Sequence, residues 1–211
     1  YEVSCEVPGF KRAVRGGLVL ETGISRSLNL KLEVGAVTES VSVVAAAPLL
    51  ETESNNVGQL IERKNVENMP LQSRRAAGLV RLMGNVVYEG DPGAESAPRY
   101  TLAGGRQVNQ MTLLDGGVVQ NMTLGVAQQL VNPPAEALQE FKISASNHSA
   151  EFGRAGSGLV LMTTRSGTNE FHGAGYWFLR NDKLDARNFF AKDKEPLRFN
   201  IYGASLGGPV L

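Results

Sequence analysis

The chain has 211 residues, enough for one or two domains with a real core, and its 21 Lys+Arg balance 21 Asp+Glu to a net charge of zero. No long-range field therefore favours nucleic acid or an acidic surface. No apolar run approaches the roughly 18 residues of a membrane helix, which leaves short, alternating barrel strands as the remaining way to span a bilayer. The single cysteine, Cys5, has no partner for an intrachain disulfide and reads as a buried small hydrophobe.

Residues 1–34 alternate with period two. Tyr1, Val3, Cys5 and Val7 oppose Glu2, Ser4 and Glu6, and in "SLNLKLEV" Leu28, Leu30, Leu32 and Val34 oppose Asn29, Lys31 and Glu33. These are half-buried strands of a sandwich, separated by turns at "VPGFK" and at Gly16–Gly17. A sandwich of this kind needs about seven strands, so its first strands are expected to lie before Tyr1. Residues 34–54, "VGAVTESVSVVAAAPLLETES", carry a β-branched run too brief to bury itself. Such an extended connector is either a plain linker or an edge to which another protein's sheet can add a strand.

From 55 to 168 the pattern mixes helix and strand. "VGQLI" reads as a strand, "ERKNVENM" as a helix ended by Pro70, and "RRAAGLVRLM" as a helix capped by Ser73, with Ala76, Leu79, Val80 and Met83 on one face. "YEGDPGAESAP" is a loop, "RYTLAGGR" and "QMTLLDGG" are short strands, and Asn132 followed by Pro133 opens a short helix, "PPAEAL". "EFKISAS" alternates, with Phe141, Ile143 and Ala145 on one side, whereas "LVLMTT" is apolar on both sides, as in a strand buried between layers.

After Gly167, "FHGAGYWFLRN" and "FNIYGASLGGPV" have the length, aromatic clustering and glycines of tilted transmembrane strands, joined by a polar loop. Two such strands cannot close a barrel, so partners are expected beyond Leu211.

The motifs give no support for an enzyme. "GRAGSG" and "GGR" lead into strands rather than helices, which argues for bends and bulges over phosphate binding. His148 and His172 lack the neighbouring acid pattern of a triad, and two distant histidines without paired cysteines make no metal site. Asp115 in "LDGG" fits a turn carboxylate that caps local N–H groups better than a metal ligand. No cofactor is expected.

The order of "VPGFK", "LNLKLEVG", "ESVSVVA", "MPLQSRR", "LAGGRQVNQMTLLDG", "PPAEALQEFKISASNHSAEFGRAGSGLVLMTTRSGTNEFHGAGYWFLRN" and "GASLGGPV" resembles the TonB-dependent outer-membrane receptors. The likeness is to the Oar-like type, which carries a carboxypeptidase-regulatory-like domain ahead of the plug. It implies an α+β chain: a mixed α/β plug, preceded by the end of a β-sandwich and followed by the first strands of a transmembrane β-barrel. The divisions implied are residues 1–36 for the non-catalytic sandwich, 37–48 for a TonB-box-like connector, 49–168 for the plug and 169–211 for the barrel.

In such receptors the segment before the plug pairs with TonB, and Glu39, Ser40, Val41, Ser42, Val43, Val44 and Ala45 occupy that place. Charged plug residues Arg106, Asp115, Glu151 and Arg154 are candidate contacts to the barrel wall, with solvated or local turn contacts as the alternative. The implied partners are TonB with its energising inner-membrane complex, outer-membrane lipid and an unidentified substrate. Two departures stand out: "LMGNVV" occupies the place of a usual proline–glycine pair, and "ESVSVV" is a degenerate box. The competing reading is a cell-surface adhesion or carbohydrate- or protein-binding module without transport, which should pack its two C-terminal strands on its own core.

Overall fold

The computed structural model describes residues 1–23, 27–35, 40–44, 57–69, 71, 73–89, 99–121, 128–187 and 189–209. Its centre is a five-stranded sheet built from β4 (Val57–Glu62), β7 (Gln110–Leu114), β8 (Gly117–Val118), β11 (Leu138–Ser146) and β12 (Gly158–Thr164), in the order β4-β11-β12-β7-β8. Within it only the β12–β7 pair is parallel, and β9 (Gln120–Asn121) and β10 (Gln128–Gln129) form a separate antiparallel pair. β12 is flanked by strands on both edges and covered on both faces, which is why "LVLMTT" lacks a polar side. Val160 and Met162 enter one core with Ile61, Val66, Leu79, Val80, Phe141 and Ile143, while Leu159 and Leu161 enter a second with Leu113 and Ala155.

Short helical turns cover the first face. α1 (Arg63–Asn68) buries Val66, and a 3₁₀ helix over Ala76–Leu82 buries Ala76, Ala77, Leu79 and Val80. The expected apolar face of "RRAAGLVRLM" is therefore present, but the α-helix and the Ser73 cap are not. Arg75 is the N-terminal cap residue and makes no side-chain cap bond. Asn132 supplies the acceptor instead: its Oδ1 takes the Ala77 N–H at 3.1 Å. The predicted helix at "PPAEAL" is likewise a single 3₁₀ turn, Ala135–Ala137. Backbone bonds from Ala76 N–H to Pro133 O (2.9 Å) and from Ala135 N–H to Arg74 O (2.8 Å) staple these two segments together.

β5 (Val86–Glu89) and β6 (Arg99–Leu102) form a hairpin on this side. It carries Tyr88 stacked on Tyr100, with the Arg81 guanidinium 3.9 Å from the Tyr88 ring centre. Burial pushes the Tyr100 phenol up to about 12; its 3.2 Å hydrogen bond with Thr112 Oγ1 pulls the other way, and Tyr88 adds to the rise. A phenol whose folded pKa lies above its unfolded value of 10.0 stabilises the fold below pH 10, and that contribution is lost as pH rises toward 12. Tyr100→Phe is expected to move the alkaline unfolding midpoint of the plug upward. It should also cost about 1 kcal/mol near neutrality, where Thr112 loses its partner; an unchanged alkaline midpoint in a pH titration of detergent-solubilised protein would contradict the burial argument.

The N-terminal residues form a separate three-stranded sheet of β1 (Val3–Cys5), β2 (Arg12–Gly16) and β3 (Ser40–Val44), with β1–β2 antiparallel and β2–β3 parallel. Three expectations need correction here. "SLNLKLEV" keeps its alternating exposure, with Leu28, Leu30 and Leu32 half-buried, but forms no ladder beyond a Phe10–Val34 bridge. The place beside β2 that it could have taken belongs to β3. Cys5 is half-buried rather than buried, because this small sheet has one sparsely covered face. The connector is also no free strand over Ser40–Val44: one of its edges is already paired.

Candidate coupling strand and plug–barrel interface

β3 places Ser40, Val41, Ser42, Val43 and Val44 opposite Arg12, Ala13, Val14, Arg15 and Gly16 in parallel register. Glu39 and Ala45 lie outside the described residues. Because β3 ends the strand order, its second edge has no neighbour among the described residues. A row of alternating N–H and C=O groups faces outward there, the geometry that strand addition uses.

The chain leaves the plug sheet at Thr164 and enters a long antiparallel hairpin, β13 (His172–Asn181) and β14 (Arg198–Gly207), paired over all ten positions. Its faces differ. Trp177, Leu179, Tyr202 and Leu206 project from one side and are 69%, 48%, 81% and 86% exposed. Tyr176, Phe178, Phe199 and Ile201 lie on the other side, which turns toward the plug.

Of the four charged residues expected at the barrel wall, Asp115 is exposed at one end of the sheet and bonded to Thr164. Its carboxylate accepts the Thr164 N–H at 2.8 Å and the Thr164 hydroxyl at 2.7 Å, which clamps the turn after β7 to the last residue of β12. Its left-handed backbone (φ 48°) suits a turn aspartate. Arg106, Glu151 and Arg154 are exposed at the opposite end of the sheet. Two bonds bring their loops together: Ser157 Oγ donates to Arg106 O at 3.3 Å, and Ser157 N–H donates to Asn109 O at 2.9 Å.

The contact between plug and hairpin that stands out is one the sequence reading missed. Arg74, with its side chain 5% exposed, stacks its guanidinium 4.3 Å from the centre of the Phe178 ring. The same group donates through Nε to Glu136 Oε1 at 2.6 Å and through Nη1 to Met69 O at 2.6 Å. The backbone at Arg74 is left-handed (φ 52°), unusual for a buried residue other than glycine. No local signal marked it: "SRR" and "PPAE" are far apart in the chain, with Arg74 and Glu136 separated by 62 positions, and meet only in the fold. Beside this pair, a cavity of about 340 Å³ separates Glu136 and Thr164 of the plug from His172 and Leu206 of the hairpin. Glu136 Oε2 is buried without a hydrogen-bond partner among the described residues.

A mixed sheet that runs within seven residues into a ten-position aromatic hairpin has the architecture of a plug followed by barrel strands. Residues 163–211 match the family model described as an outer membrane beta barrel domain. The whole chain is similar to the TonB-dependent transporter Oar of Myxococcus xanthus, 24% identical over 221 residues covering 100% of this chain and 20% of that protein. The chain thus spans about a fifth of the curated relative's length.

Among solved structures, the siderophore receptor PirA of Acinetobacter baumannii aligns with a TM-score of 0.52 at 20% identity, over 73% of this chain and 22% of that one. A ferric enterobactin receptor of Pseudomonas aeruginosa aligns with a TM-score of 0.54 at 18% identity, over 76% and 23%. The resemblance to TonB-dependent receptors of the Oar-like type, the α+β plug-and-barrel fold and the outer-membrane location follow from these matches. The relatives are transporters and receptors rather than enzymes or adhesion modules.

Proposed function

We propose that this chain is the plug-bearing part of a TonB-dependent transporter, gating energy-coupled uptake of a large or scarce substrate and performing no covalent chemistry. The observation that carries this reading is the hairpin. It follows the plug sheet after seven residues and turns one aromatic face to Arg74 and the other outward. Ten residues at about 3.3 Å each, tilted by about 45°, span about 24 Å, the height of a barrel's apolar band. The outward face with Trp177 and Tyr202 then meets lipid. A barrel of this kind has a polar lumen that would leak, and the plug fills it.

On this reading residues 1–36 end the sandwich, 37–48 carry the coupling strand, 49–168 are the plug and 169–211 begin the barrel. Arg106, Glu151 and Arg154 face the lumen wall from one end of the plug, and Asp115 does so from the other. The outer membrane has no nucleotide supply, so opening is driven by TonB adding a strand to Glu39–Ala45 and pulling.

The test is capture of the full-length, detergent-solubilised protein by the periplasmic domain of TonB. Successive N–H groups of a strand point to opposite edges, so Val41→Pro and Ser42→Pro together remove a donor from each edge of β3. Loss of capture in at least one variant is expected, and undiminished capture in both would overturn this assignment of the coupling strand.

A further inference from the structure

A turn of the N-terminal module touches the second face of the plug sheet. Thr22 N–H donates to Glu140 Oε2 at 2.7 Å, and the Thr22 and Thr163 hydroxyls lie 2.7 Å apart. Lys142 Nζ donates to Gly23 O at 2.8 Å. Lys142 is only 4% exposed, on a strand whose opposite face carries Phe141 and Ile143 in the main core. A buried ammonium needs acceptors, and the turn supplies one of them. Gly23 fits closely: its φ is +64°, and a Cβ there would meet Leu161 Cδ1 at 2.7 Å. The contact thus joins residues about 120 to 140 positions apart, through polar bonds at Thr22 and Gly23 and a close apolar approach to Leu161.

We propose that this turn is a releasable latch: the N-terminal module docks on the β11–β12 face of the plug through Thr22 and Gly23, and tension on the coupling strand undocks it before the plug itself is pulled. This inference rests on the transport reading above. Two routes join β3 to the plug. The covalent one runs through twelve residues, 45–56, with a contour length of about 40 Å. The other runs from β3 across the ladder to β2, whose last residue, Gly16, is six positions from Thr22. The shorter path bears load first. Its end on the plug is a handful of hydrogen bonds at a partly solvated boundary, whereas the plug strands are fastened by full ladders and a core. Undocking exposes Thr163 and the Lys142 ammonium to water.

The test uses full-length protein in its own outer membrane, with Cys5→Ser in every variant to remove this segment's cysteine. Thr22→Cys with Thr163→Cys should form a disulfide on mild oxidation in cells treated with a protonophore; failure to crosslink in correctly inserted protein overturns the docking. Thr163→Cys alone is then alkylated with a maleimide that reaches the periplasm. Labelling should be severalfold faster in energised cells than in protonophore-treated ones. Gly23→Val, which blocks seating of the turn against Leu161 and leaves the main core around Phe141 in place, should give the fast rate in both conditions. Equal slow rates in both conditions, with TonB still captured by the protein, overturn the latch as a switch. Equal rates together with failed TonB capture overturn the transport reading and the latch with it.

Discussion

Arg74→Ala is expected to cost about 3–5 kcal/mol of plug stability, because it strands a buried carboxylate rather than merely deleting a surface charge. Glu136 accepts from Arg74 through Oε1, and its other oxygen already has no hydrogen-bond partner among the described residues. The guanidinium also satisfies the Met69 carbonyl at the end of α1 and covers the Phe178 ring. One substitution therefore loosens the first helix, the 135–137 turn and the hairpin together. The double variant Arg74→Ala/Glu136→Ala should recover part of the loss, since it removes the unpaired charge, and its effect should be smaller than the sum of the single effects. The measurement is the temperature at which the plug becomes protease-sensitive in detergent-solubilised full-length protein. A loss below about 1 kcal/mol, the range of an exposed ion pair, would show that the contact is superficial.

Phe141→Ala is the second large effect, about 3–5 kcal/mol, from the cavity left by a fully buried ring. Phe141 is paired with Ile61 on one side and Met162 on the other, so neither neighbouring strand can move in without breaking a ladder. The barrel should still insert, because the hairpin's ten paired positions do not depend on this ring. Phe141→Leu should cost markedly less. Equal protease resistance of Phe141→Ala and the parent protein would mean that the main core does not hold the plug.

What the sequence revealed was local. Alternation identified β11, two-sided apolarity identified β12, and the aromatic, glycine-rich grammar identified the hairpin; each of these signals comes from the strand's own residues. What it concealed was supplied from a distance. The 76–82 segment is 3₁₀ with its cap acceptor on Asn132, 55 positions away, so Ser73 was a plausible but unused cap. The parallel pairing of β3 with β2 has no local signature either, since parallel neighbours are never joined by a short turn. Arg74 was hidden for a related reason. Arginine before an apolar helix ordinarily reads as solvated, and only the return of Glu136 and Phe178 makes it the centre of an interface.

On the transport reading proposed above, the place of β4 at the margin of the plug sheet sets a size limit. Among the described residues it is the first plug strand after the coupling segment and has β11 as its one ladder neighbour. Withdrawing it alone would clear a slot about 5 Å wide, the spacing of one strand, along roughly 20 Å of its length. That admits water, ions and slender solutes. A folded protein or a bulky chelate would need α1 and further strands to leave as well, so the number of residues extracted per cycle is a ruler for the cargo.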